Sequence, residues 1–303
     1  MTTLSTETDV EETLLDQKKP KNTRPSVLRA TFSQPQAWIG AGVIVAVTLW
    51  AFIGPHFYQW DPYYSDPLAF GKPPSADHWF GTNDIGQDIY AQMLLGLQKS
   101  LIIGFIAGPA ATLIAGLVGS IAGYVGGVWD KVLVWIIDLM LVLPAFYMLV
   151  LLSPLFKKLS WLAMVVAISL FSWMVMARVI RGQTMSIRNR DFVRASHFMG
   201  VSTPTIIRRH ILPNVASLLI IDATLGVGAA ILTESTLSYF GFGIQAPDVS
   251  LGTLLSVGSA AAVTRPWLFV FPAAIVVITV LATSLLGDSL RDAIDPTSGS
   301  NRG

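Results

Sequence analysis

Six runs of apolar residues divide this sequence, and each is long enough to cross a lipid bilayer as an α-helix. A hydrocarbon core about 30 Å thick is spanned by about 17–25 residues of helix. The six runs cover residues 36–53, 101–124, 132–152, 161–177, 215–238 and 267–286. Charged residues make up 13% of the chain, against about 25% in soluble domains. The sequence therefore predicts an all-α integral membrane protein with six transmembrane helices.

The basic residues predict how the chain is threaded through the membrane. All 20 Lys and Arg lie outside the six runs, and 15 of them fall on the side that holds both termini, Lys131 and residues 178–214. Cytoplasmic loops of membrane proteins carry the excess of Lys and Arg. We therefore expect both termini in the cytosol.

The same boundaries divide the chain into five parts. We expect a cytosolic tail over 1–35, a first transmembrane helix over 36–57, an external loop over 58–100, a core with five transmembrane helices over 101–290 and a cytosolic tail over 291–303. In the external loop, Ile89, Met93, Leu97 and Leu101 recur every four residues, the spacing of one helical face. This predicts a short amphipathic helix lying at the external membrane interface before the chain turns into the second span.

Small residues and prolines inside the spans predict close packing and kinks. Gly104 and Gly108 form a GxxxG pair in the second run, a spacing that lets two helix backbones approach closely. Pro109, Pro144 and Pro272 interrupt three different runs. Each removes a backbone donor and frees a carbonyl, so each is expected to kink its helix.

Three carboxylates, Asp138, Asp222 and Glu234, lie inside the apolar runs. An Asp at the centre of a span costs about 3 kcal/mol to insert, while each Leu, Ile or Val returns about 0.3–0.6 kcal/mol. Residues 215–232 hold nine of those apolar residues, so the free energy gained by inserting them only just offsets the cost of inserting Asp222. Asp222 is therefore expected inside the bundle, either lining a solute path or bonding to a neighbouring helix. Asp138 and Glu234 are expected to have a structural role, in which each caps a helix or pairs with another polar group.

Patterns for catalysis are missing from the sequence. There is no cysteine, and neither GxGD, GxSG, HExxH nor GxxxxGK[ST] occurs, so protease and nucleotide-binding chemistry are not expected. The four histidines, at positions 56, 78, 197 and 210, lack metal-site spacing and are expected at surfaces or interfaces. We expect a chain that is not itself an enzyme, with no metal, no cofactor of its own and no nucleic-acid partner.

Residues 178–214 carry seven Arg against one acid, Asp191. A helical pattern over 191–199 ends at Gly200, a helix terminator. Ser202 and Pro204 then offer an N-cap and a first-turn proline for a second short helix over 205–212, which Pro213 is expected to end. This predicts two short cytosolic helices joined at Gly200. A charged loop that only sets topology and touches anionic lipid is the alternative.

The same segment resembles the EAA loop of ATP-binding cassette (ABC) importer permeases. Arg194-Ala195-Ser196, Gly200 and Leu212-Pro213 are in register with that pattern, with Arg194 at the usual Glu and His210 at the usual Ile. Four further stretches resemble the dipeptide, oligopeptide and nickel branch of the family, closest to its C-type permeases: residues 78–88, 126–131, 234–245 and 286–296.

The resemblance implies the type I ABC importer permease fold, in a bacterial cytoplasmic membrane. It also implies a homologous B-type permease as partner, two ATPase subunits that bind ATP and Mg²⁺, and an extracytoplasmic binding protein that delivers a peptide. ATPase coupling would then fall on Asp191, Arg194, Ala195, Ser196, Gly200, Arg208, Arg209, His210, Leu212 and Pro213, and the translocation path on Asp222, Glu234 and Asp138. Nickel or another small solute is the alternative cargo, and a stand-alone gradient-driven transporter the alternative function.

Overall fold

The computed structural model describes residues 30–159 and 161–294, so most of both predicted tails lies outside the described residues. Regular structure in this part is helical. The helices are α1 (Pro35–Ile53), α2 (Ile89–Val125), α3 (Gly127–Val142), α4 (Ala145–Leu159), α5 (Trp161–Ser172), α6 (Met174–Arg188), α7 (Asp191–Phe198), α8 (Thr203–Ile206), α9 (Leu212–Tyr239), α10 (Leu251–Ala260) and α11 (Trp267–Ile294).

The described residues contain four uninterrupted helical runs that are long and apolar enough to cross a membrane: Pro35–His56, Ile89–Val125, Thr203–Tyr239 and Trp267–Ile294. Two bent pairs pass the same test when each pair is taken together. The α3–α4 pair bends by 85° and the α5–α6 pair by 43°. The predicted six spans are reached when each bent pair counts as one span.

Pro144 has a larger effect than the predicted kink. Helix α3 ends at Val142, and Leu143 is extended at φ −85° and ψ 122°, the conformation favoured before a proline. The chain therefore leaves the helix and restarts as α4 in a new direction. Pro109 and Pro272 instead lie inside the unbroken helices α2 and α11.

The predicted amphipathic helix at the external interface is wrong in its position. Its periodicity is helical, but the segment is the first part of α2, which runs unbroken for 37 residues from Ile89. Met93, Leu97 and Leu101 are buried in a core with Ala51 of α1 and Leu251 of α10. Because other helices cover this face, it packs against protein and does not lie along the membrane surface.

Glycines let α2 pack closely on its neighbours, as predicted. A Cβ atom at Gly108 would lie 2.6 Å from the backbone carbon of Gly226 on α9. A Cβ at Gly104 would lie 2.6 Å from the side chain of Ile231. Helix α2 is thus held against α9 at a distance that side chains would not permit.

The segment before α2 folds around Asp88. One Asp88 oxygen accepts the backbone N–H of Ala91 at 2.8 Å and caps α2. The other accepts the Tyr58 hydroxyl at 2.8 Å and faces His78 Nδ1 at 2.9 Å. Burial, followed by the bond to Asp88, raises the pKa of Tyr58 well above its ordinary range. His78, expected at a surface or an interface, is instead buried within this segment and is 3% exposed.

Candidate coupling hairpin and membrane carboxylates

Residues 191–211, here called the coupling hairpin, turn at Gly200 as predicted. Gly200 has φ +78°, a left-handed conformation that glycine adopts at little steric cost. Its N–H donates to the carbonyl of His197 at 3.0 Å, and the N–H of Val201 donates to that of Ser196 at 3.1 Å. These two bonds form a Schellman motif, so Gly200 both ends α7 and reverses the chain.

The second arm of the hairpin does not end at Pro213, contrary to expectation. Helix α8 passes through a π-helical turn at Ile207–Ile211 into α9, where Pro213 stands in the first turn. Proline lacks an N–H and its ring crowds the carbonyl four residues before it. The wider turn accommodates the ring, and Asn214 Nδ2 donates to the carbonyl of His210 at 2.6 Å. Consequently the hairpin is joined rigidly to the transmembrane helix α9.

One face of the hairpin is buried against the ends of the membrane helices. Val193 and Ile206 pack with Ile180 and Ile187 of α6 in one apolar core. The hydroxyl of Ser196 lies 3.3 Å from Nε2 of His210 across the hairpin. The structure thus brings two of the predicted coupling residues together, and they tie the arms to each other.

The opposite face carries an apolar tip that the sequence reasoning missed. Phe198 is 79% exposed and Met199 is 74% exposed, directly before the turn at Gly200. Ala195 and Arg194 are exposed on the same short helix. Two large apolar side chains beside a helix-ending glycine were the available signal. Exposed apolar residues at a rigid tip are typical of a protein interface.

The structure divides the seven arginines of residues 178–214 into two groups. Arg181 donates to both oxygens of Asp130, at 2.6 and 2.7 Å, and Arg178 bonds to Asp138. Both pairs join α6 to α3. The other five have no ion pair within the described residues, and they are Arg188, Arg190, Arg194, Arg208 and Arg209. Their charge is free for a ligand or partner.

The three membrane carboxylates occupy different surroundings. Asp222 is half-buried and accepts the hydroxyl of Thr112 on α2 at 2.6 Å. Glu234 is fully buried and accepts the hydroxyls of Ser100 at 2.7 Å and Ser238 at 2.8 Å. Asp138 is half-exposed in its pair with Arg178. Glu234 is thus hydrogen-bonded and Asp138 ion-paired within the described residues, and their place on the translocation path stays a prediction.

A groove lies beside Asp222, between α2 and α9. Its volume is about 480 Å³. It is lined almost entirely by apolar residues, among them Leu113, Leu117 and Ile220, and by Thr112. Thr112, whose hydroxyl bonds Asp222, therefore contributes to the lining of an apolar groove, and Asp222 itself lies behind this wall. Among the described residues, no cluster of three or more His, Asp or Glu is placed to hold a metal ion.

The sequence of the chain is similar to that of one known protein family. Residues 115–299 match the binding-protein-dependent transport system inner membrane component family. The chain is 50% identical over 245 residues to the oligopeptide transport system permease protein OppC of Mycobacterium tuberculosis H37Rv, covering 80% of this chain and 84% of that protein. It is 38% identical over 264 residues to OppC of Bacillus subtilis 168, covering 87% and 86% of the two chains. It is 37% identical over 262 residues to the dipeptide permease DppC of the same organism, covering 86% and 81%.

Proposed function

The chain belongs to the binding-protein-dependent transport system inner membrane component family, and on that premise we propose how it works as the C-type permease subunit of an ABC peptide importer. Its relatives are named as oligopeptide and dipeptide permeases, which supports peptides as the cargo. Because these names refer to peptides, they favour a peptide over nickel as the cargo. ATP and Mg²⁺ would bind to separate ATPase subunits, and this chain would transmit their motion.

The coupling hairpin carries the proposal. Its tip exposes Phe198 and Met199, and five nearby arginines lack an ion pair within the described residues. An ATPase surface with an apolar groove and an acidic rim would complement both features. Because the hairpin continues without a break into α9, a displacement at the tip would move a transmembrane helix directly.

The translocation path is proposed along the α2–α9 groove beside Asp222. The path would be completed by a homologous B-type permease, which packs against the apolar faces left open here. The folded segment around Asp88 and the segment between α9 and α10 would receive the extracytoplasmic binding protein. ATP binding would close the ATPases and open the path outward, and hydrolysis would reset it.

Co-purification tests the assembly. The tagged chain is co-expressed with its genomic neighbours, the complex is isolated in mild detergent, and the co-eluting subunits are identified by mass spectrometry. We expect one second permease, ATPase subunits and peptide uptake in reconstituted vesicles that depends on the binding protein and ATP. Uptake by this chain alone would instead favour a gradient-driven transporter.

Cysteine labelling tests the direction of threading. The chain has no native cysteine, so Ala76→Cys in the segment before α2 and Ser186→Cys in α6 each provide a single exposed site. In intact cells, an impermeant maleimide is expected to label Ala76→Cys and to spare Ser186→Cys. Labelling of Ser186→Cys would reverse the proposed topology.

A further inference from the structure

Glu234 lies at a junction of three helices, near the end of α9 that is remote from the coupling hairpin. Its carboxylate accepts the hydroxyls of Ser100 on α2 at 2.7 Å and of Ser238 on α9 at 2.8 Å. The side chain of Ser250, which caps α10, also interacts with it. Each of these four residues is 2% exposed or less. A single buried carboxylate therefore joins α2, α9 and α10.

The same three helices approach each other closely through their backbones. A Cβ atom at Gly252, in the first turn of α10, would clash with the carbonyl oxygen of Ser235 on α9. A Cβ at Gly96 of α2 would lie 2.9 Å from the backbone carbon of Ser250. Close-packed elements transmit displacements to one another. Consequently α10 cannot shift far without moving the ends of α2 and α9.

Packing alone does not require a carboxylate at this position. Glu234 has no ion pair within the part of the chain that the structure describes, and burying a charge without a counter-charge is costly. A carboxylate has about four lone-pair sites, so it can accept hydrogen bonds from several elements at once. A residue that fixes the relative positions of three helices in this costly way is typical of a functional position.

Helix α9 connects this junction to the coupling hairpin. The helical run from Thr203 to Tyr239 is unbroken, and at about 1.5 Å per residue Glu234 lies roughly 45 Å along it. Beyond the junction, α10 and the segment before α2 enclose a cavity of about 520 Å³. These two elements flank the surface proposed above for the binding protein. Glu234 thus lies between that surface and the helix that leads to the hairpin.

We propose that Glu234 is the positioning residue through which docking of the binding protein is transmitted to α9. Its side chain has no exposed surface, so it acts through the helices that it joins and does not contact the partner. A shift of α10 on docking would move the carboxylate, and α9 with it. This inference rests on the proposed function, because it needs both the docked binding protein and the ATPase contact at the coupling hairpin.

ATP hydrolysis by the reconstituted complex tests the proposal. The binding protein from the same genomic neighbourhood is titrated, so that the maximal stimulation and the half-saturating concentration are measured separately. Glu234→Leu removes the shared acceptor and is expected to lower the maximal stimulation about fivefold, within the range that coupling residues control. The half-saturating concentration should not change, since the docking surface is intact.

Two further variants separate the hydrogen bonds from other effects at this end of α9. Glu234→Gln should retain most of the stimulation, because its amide oxygen still accepts one hydroxyl and a serine hydroxyl can accept its N–H. Thr236→Val is the matched control and should behave like the native chain. Within the described residues, the hydroxyl of Thr236 bonds to the carbonyl of Leu232 in its own helix.

Ser100→Ala covers a failure of Glu234→Leu to assemble. It removes the bond from α2 and leaves the carboxylate bonded to Ser238, so the maximal stimulation should fall about twofold. Full stimulation in either assembled variant, or an equal loss in Thr236→Val, would overturn the proposal. Stimulation that recovers at a high concentration of binding protein would also overturn it, because Glu234 would then only shape the docking surface.

Failure of the proposed function has a different signature. A native chain that does not associate with ATPase subunits, or whose complex does not respond to the binding protein, would remove the premise together with the inference. A native complex that responds normally, with the same response in Glu234→Leu, would remove the inference alone. A lower thermal midpoint of Glu234→Leu with unchanged stimulation would leave Glu234 with a role in stability only.

Discussion

The hydroxyl of Thr112 on α2 donates a 2.6 Å hydrogen bond to a carboxylate oxygen of Asp222 on α9. The bond joins the two helices at the edge of the apolar groove. It supplies the helix-to-helix partner that Asp222 needs in the membrane. An amide oxygen could accept the same bond, so asparagine at this position separates the charge from the packing.

Asp222→Asn is expected to lower peptide uptake severalfold without reducing the yield of assembled complex, because the bond to Thr112 survives and only the charge is lost. Thr224→Val on the same helix is the control, since within the described part of the chain that hydroxyl bonds only to the carbonyl of Ile220 in its own helix. Both quantities are measured in reconstituted vesicles. Normal uptake by Asp222→Leu would exclude a polar role in the path.

Gly200→Val is expected to abolish uptake and binding-protein-stimulated ATP hydrolysis. A β-branched residue at φ +78° is strained by about 1–3 kcal/mol, and the turn would open. Asparagine tolerates this backbone region, so Gly200→Asn should retain activity. Gly241 has the same φ of +78° and, like Gly200, open space around it. Gly241→Val therefore controls for strain alone and should preserve ATPase association in detergent.

Phe198→Ala is expected to weaken association with the ATPase subunits at least fivefold, because truncation of a large anchor residue that is buried at an interface costs about 1–2 kcal/mol or more. Phe57→Ala removes a side chain that is 84% exposed in the segment before α2 and serves as the control. Affinity is measured between purified permease complex and ATPase by surface plasmon resonance. Arg208→Ala alone should have little effect, since exposed ion pairs contribute about 0–1 kcal/mol. Unchanged affinity in Phe198→Ala would remove the tip from the interface.

Gly108→Ala is expected to lower the thermal midpoint of the purified chain. The added methyl group would lie 2.6 Å from backbone atoms of α9, which cannot move aside as a side chain can. Overpacking of this kind costs about 1–3 kcal/mol. Gly42→Ala on α1 should be neutral, because no neighbouring atom of the described residues lies within 4 Å of an added Cβ there. Equal midpoints for the two variants would mean that α2 and α9 are less closely packed than described here.

Asp88→Ala is expected to loosen the segment before α2, because it removes the helix cap and leaves the Tyr58 hydroxyl and His78 without their shared acceptor. Loss of a cap alone costs about 1 kcal/mol. Limited proteolysis of the purified chain in detergent measures the effect as faster cleavage between residues 57 and 88. Asp77→Ala, at an exposed aspartate in the same segment, should leave the cleavage rate unchanged.

Local patterns in the sequence predicted the apolar spans and the turn of the hairpin. Apolar runs predicted the spans, and Gly200 predicted the turn, because length, hydropathy and a left-handed residue act within a few neighbours in the chain. The EAA-like register and four matching stretches identified the family. The four-residue periodicity also predicted that residues 89–101 are helical. It could not predict that their apolar face is buried, because a face that packs against protein and one that lies against lipid have the same sequence pattern.

Tertiary structure decided what depends on distant contacts. Pro213 lies inside a continuous helix because a π-helical turn makes room for its ring, and the sequence contained the proline but no sign of that turn. Two arginines are neutralised by aspartates 40 and 51 residues away, while five remain free, although all seven look alike in the sequence. The apolar tip at Phe198 and the junction at Glu234 likewise arise only where separate helices come together, because exposure and hydrogen bonding are set by neighbours in space.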